Sequence, residues 1–92
     1  MAITSSADVS ASAGNNGQNI QRDVCTIQQR LNELMGASRQ QLEVDGLSGR
    51  KTNGMIADFQ RPVLKFNRPD SRVDPGGRTI IAMNAPNSAT VW

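Results

Sequence analysis

The chain has 92 residues, 37% of them hydrophobic and 20% charged, with a formal net charge of +2, a single cysteine and no histidine. That is enough for one small domain and too little for two, and Cys25 alone excludes an intramolecular disulfide framework and a Cys/His zinc site. Without histidine the Ser-His and Cys-His nucleophile systems and the usual zinc-hydrolase sites are excluded as well, so the chain is not expected to be an enzyme and is expected to need no cofactor and no metal. Two carboxylates would suffice for glycoside hydrolysis, but Asp45 and Asp74 are better explained as turn and cap residues.

The charge is unevenly spread. Residues 1–49 hold three arginines against five carboxylates, whereas residues 50–92 hold seven cations against three carboxylates, a mild bias of the second half toward an acidic partner. Nucleic acid ranks last among such partners, because the basic residues form no dense stripe and no recognition helix stands out. No stretch reaches the length of a membrane span, and Met1 to Val9 has neither the basic nor the apolar region of a cleaved signal.

In chain order, residues 2–19 are mostly Ser, Ala, Gly, Asn and Thr, with Ile3 and Val9 as the only large apolar side chains, and residues 1–19 are expected to form a disordered arm. Asn19 is expected to cap a first helix whose apolar face is Ile20, Val24, Ile27, Leu31 and Leu34, with Gly36 ending it. Leu42, Val44 and Leu47 alternate with polar residues in a short extended segment, Asp45-Gly46 makes a turn, and Thr52 caps a second helix. That helix carries Met55, Ile56, Phe59, Val63 and Phe66, and Pro62 within it predicts either a kink near Phe59 or an early stop. Asp74-Pro75 is expected to open a short third helix using Ile80, Ile81 and Met83, with Thr79 as the alternative start if Pro75-Gly76-Gly77 is loop. Residues 85–92 form a tail in which Val91 and Trp92 either fold back over the edge of the core or offer a stacking platform.

Two segments echo each other: Val44-Asp45 with Gly49 to Thr52, and Val73-Asp74 with Gly76 to Thr79, each a V-D lead followed by G-x-x-T at a helix start. The predicted fold class is therefore all-α, a three-helix bundle with glycine-rich turns spanning residues 20–84.

These residues resemble the peptidoglycan-binding domain family, small three-helix modules often attached to cell-wall hydrolases. The resemblance rests on Val24 to Leu34 (V-C-T-I-Q-Q-R-L-N-E-L), Val44-Asp45-Gly46 with Gly49 and Thr52, Ile56 with Phe59-Gln60, and Val73 to Thr79 ahead of Ile81 and Met83. Pro62 within the second helix and Met35 beside the helix end depart from the family pattern. What the resemblance implies is a non-catalytic module that recognises bacterial peptidoglycan, its glycan or stem peptide, in a shallow groove between helices. Gln60 and Asn67 would bond sugar hydroxyls and peptide amides, and Arg50, Lys51 and Arg61 would meet stem-peptide carboxylates. Such a chain, made in the cytoplasm without a cleavable signal, would act at the wall or in the periplasm after signal-independent export or lysis. Its protein partner would be a cell-wall hydrolase or a secretion or phage component. The alternative is a protein-interaction adaptor of a secretion, phage or envelope complex that keeps the fold without wall binding.

Overall fold

A computed structural model describes residues 7–35, 41–85 and 92. The order is β1 (Ala13–Gly14), α1 (Gln21–Met35), α2 (Arg50–Leu64), β2 (Arg72–Val73) and α3 (Arg78–Met83). The protein is thus mostly helical, as the periodicity predicts, with a two-stranded antiparallel sheet added: Ala13 pairs with Val73 and Gly14 with Arg72.

The helical spacing places most of its apolar residues inside, but Ile20, expected on the face of α1, precedes that helix and is exposed, Ile81 of α3 is exposed too, and Phe66, expected on α2, lies beyond its end. Val24, Ile27 and Leu31 of α1, Ile56 and Phe59 of α2 and Met83 of α3 are fully buried, with Leu34 and Ile80 nearly so. Each such side chain contributes about 1.5–3 kcal/mol on burial. Met55 and Val63 pack against this core from the edge, and the ring of Trp92 meets Phe59 edge-on with centroids 5.3 Å apart. Of the two readings of the tail, the structure shows Trp92 on the core edge; Val91 lies outside the described residues.

The expected arm over residues 1–19 is corrected for its described part. From Ala7 the chain is a strap across the core, with Ala7, Val9 and Ala13 buried. Its low hydrophobicity is offset by side chains elsewhere that satisfy its backbone, so it need not bury large groups to be held. Asp23 accepts from the Ser10 amide (3.1 Å), the Ser10 hydroxyl (2.8 Å) and the Ala11 amide (3.1 Å). The Ser12 hydroxyl donates to Asp74 (2.6 Å), and the Asn84 amide holds Ala7 on both sides, accepting from its N–H (2.7 Å) and donating to its carbonyl (2.9 Å).

Helix starts are corrected too. Asn19, at φ 56°, turns its side chain back to the Gly14 amide and carbonyl instead of capping α1, and the first carbonyl of the ladder is that of Ile20, which accepts from Val24. The N-cap of α2 is Gly49, not Thr52, and that of α3 is Gly77, with Asp74 further back accepting the Gly77 N–H through its carbonyl. Threonine is drawn inward at both starts because its hydroxyl serves a buried glutamine. The helix α2 continues through Pro62 to Leu64, so no stop precedes the proline. Lys65 closes it in the left-handed conformation, its N–H bonding the Gln60 carbonyl. The stop assigned to Gly36 lies outside the described residues.

Candidate functional site

Two buried glutamines organise the connections between helices. Gln28 on α1 accepts the Gly46 N–H at Oε1 (3.0 Å), and its Nε2 lies 3.0 Å from Asp45 Oδ1, 3.2 Å from the Leu47 carbonyl and 3.0 Å from the Thr52 hydroxyl. Gln60 on α2 repeats the set: it accepts the Ser71 N–H (3.1 Å) and faces Asp70 Oδ1 (2.9 Å), the Arg72 carbonyl (3.2 Å) and the Thr79 hydroxyl (3.1 Å). In each joint the aspartate also accepts the backbone N–H two residues on, Leu47 in one and Arg72 in the other. The side-chain amide of Gln28, followed by the backbone N–H of Leu47, donates to the Asp45 carboxyl and holds it below its ordinary value.

The chain therefore contains the internal repeat that the sequence suggests, in a different register. Asp45-Gly46-Leu47 corresponds to Asp70-Ser71-Arg72, not to the segment around Asp74. The residue at the left-handed corner is glycine in the first copy (φ 75°) and serine in the second (φ 57°), so no glycine marks the second corner. A Cβ at Gly46 would come within 2.4 Å of Gln21 Cγ and 3.1 Å of Cys25 Sγ, which makes glycine necessary only in the first.

Each joint forms one wall of a groove. The first groove, about 890 Å³, lies between the 41–49 connection and the start of α2, lined by Leu42, Glu43, Asp45, Leu47, Gly49, Arg50, Lys51, Gly54, Met55 and Asp58 among others. The second, about 240 Å³, is lined by the equivalent Asp70, Arg72, Gly77, Arg78 and Thr79, with Phe66 and Asp74. In the second the arginines are engaged by neighbouring side chains: the Arg78 guanidinium lies over the Phe66 ring at 5.0 Å, and Arg72 Nε pairs with Asp74 at 3.0 Å. In the first groove Arg50, at the first position of its helix as Arg78 is of α3, is exposed beside an exposed Lys51, and no acidic residue occupies that first turn.

Of the sequence-derived site residues, Arg50 and Lys51 are thus together on the groove. Gln60 is fully buried with its amide engaged inside the chain, so it belongs to the architecture and has no surface for a ligand. Arg61 and Asn67 are exposed but line neither groove. The sequence reading missed Gly54, Met55 and Leu47 as groove residues. A signal was present for the first two: they follow Arg50 and Lys51 by four residues, one helical turn along the same face. Among the described residues no group of three or more His, Cys, Asp or Glu could hold a metal ion, and no helix is long and apolar enough to cross a membrane.

No family model, no curated protein and no solved structure matches the chain.

Proposed function

We propose that the chain is a non-catalytic binding module, a three-helix bundle braced by its strap, that recognises bacterial cell-wall peptidoglycan in the groove beside the N-terminal half of α2. The observation that carries this reading is the contrast between the duplicated grooves. One is small, about 240 Å³, with its arginines engaged by Phe66 and Asp74, and the other is larger, about 890 Å³, with two exposed cations at its edge. The two cations share the lining with Glu43, Asp45 and Asp58, so the groove is mixed in charge; its positive edge, where the first turn of α2 adds its helix dipole, is the part that suits a carboxylate of the polymer. The apolar side chains of Leu42, Leu47 and Met55 in the same lining suit the less polar faces of a sugar or peptide.

The test is co-sedimentation of the purified protein with insoluble peptidoglycan. Retention is expected at low salt, falling as salt screens the exposed charges, with Arg50→Ala/Lys51→Ala weakening it about tenfold. Absence of wild-type retention at low salt would remove the reading. Leu47 and Ile81, 67% and 62% exposed, favour the second reading, an adaptor that docks on a protein. Recovery of one stoichiometric protein partner without wall retention would establish that instead.

A further inference from the structure

Helix α2 carries a glycine at its fifth position, Gly54, where glycine weakens a helix relative to alanine. Gly49, the N-cap of α2, has open space at its Cβ as well, but the other described glycines have reasons: Gly46 sits at positive φ with side chains where its Cβ would be, and at Gly77 a Cβ would press on Asp74. At Gly54 there is neither. Its φ is helical, and a Cβ built there meets nothing within 4 Å. Among the described residues no neighbour requires this position to lack a side chain.

The position is on the open groove. Arg50, Gly54 and Asp58 follow one another at intervals of four, so they form a row along α2, and all three line the groove, with Lys51 and Met55 as the adjacent row. Arg50 and Asp58 are about 12 Å apart along the axis. The glycine makes a notch between them in which the helix backbone is bare. The second, smaller groove has no comparable notch, since the short helix α3 continues from Arg78 into Thr79, Ile80, Ile81 and Ala82.

The geometry points to Gly54 as a contact residue of the groove: the bound polymer lies directly on the α2 backbone there, its carboxylate toward Arg50 and Lys51. This rests on the wall-binding reading and extends it by naming the place where the ligand comes closest. The stability that glycine forfeits is then the cost of admitting a flat segment, a pyranose face or a peptide plane, at van der Waals distance from the helix.

The experiment measures melting temperature and peptidoglycan co-sedimentation for the wild type, Gly54→Ala, Gly54→Leu and, as a control on the second groove, Arg78→Ala. Alanine at this position is expected to raise the melting temperature by about 5 °C while weakening retention several-fold. Leucine is expected to keep the fold and weaken retention at least tenfold, and Arg78→Ala is expected to retain wild-type binding. Folded Gly54→Leu protein that binds like the wild type would overturn the contact at Gly54 and leave wall binding standing. Loss of binding in Arg78→Ala alone would move the ligand to the second groove and overturn it as well. A wild-type protein that is not retained would remove both readings together.

Discussion

A side-chain amide holds a donor and an acceptor in one plane, as a residue of a strand does along one edge. Among the described residues the protein uses this five times. Asn19 holds Gly14, Asn32 holds Leu42 and Asn84 holds Ala7 by both backbone groups of one residue. Gln28 and Gln60 span two residues each, Gly46 with Leu47 and Ser71 with Arg72. Connections without secondary structure are thereby satisfied by single residues. Removing one such amide leaves several buried groups unpaired: Gln60→Ala is expected to cost about 2–4 kcal/mol, seen as a fall of roughly 2–4 M in the urea midpoint if m is near 1 kcal/mol/M. The corner beside Gln60 offers the opposite change. Ser71 occupies the left-handed region at φ 57°, which costs an L-residue about 1–2 kcal/mol, partly offset by the flexibility that glycine brings to the unfolded chain. Ser71→Gly is expected to gain roughly 0.5 kcal/mol, and a lower melting temperature than wild type would refute the strain.

At the scale of elements, the strap over residues 7–19 is tied to the helices by side-chain hydrogen bonds, though it buries only small side chains and one valine. Its main attachment is charged. Burial alone would raise the Asp23 carboxyl, but the Ser10 and Ala11 donors, with Arg22 nearby, outweigh it and leave the group below its ordinary value. The folded form thus favours the ionised carboxylate, and as pH falls the unfolded chain takes up this proton first. The contribution is complete above the ordinary aspartate value of about 4 and drains away below it. Thermal melts from pH 7 to pH 3 should show a steeper decline for wild type than for Asp23→Asn, which starts lower at pH 7. Parallel declines would mean the strap is held by something other than this carboxylate. The elements also show what could be read in advance. The apolar faces of α1 and α2 were legible from periodicity alone, since Val24, Ile27, Leu31, Ile56 and Phe59 all lie inside. The strap was not, because its order comes from Asp23, Asn84 and Asp74, residues up to 77 positions away. No local composition carries that. The helix starts were misplaced for the same reason: Thr52 and Thr79 have the chemistry of caps, and only the tertiary position of Gln28 and Gln60 turns them inward.

For the molecule as a whole, duplication accounts for much of the arrangement. A helix bearing an inward glutamine, a corner, and a helix begun at glycine recur with different fates: the first copy keeps a groove of about 890 Å³ and the second one of about 240 Å³. The sequence showed that a repeat existed and that Arg50 and Lys51 stand together at the start of its first capped helix. It placed Gln60 in the binding surface because a polar residue on a helix reads as exterior until the loop that buries it is known. Arg61 follows Gln60 in sequence but points away from the grooves, the ordinary consequence of the roughly 100° turn between neighbours on a helix.

The clasp between Asn84 and Ala7 has a further consequence. It brings the start of the strap and the residue after α3 to one corner of the molecule, 77 positions apart in sequence, and Trp92 further on returns to Phe59. An insertion or a circular permutation at that corner therefore has to keep the segment to Trp92 as well as the clasp.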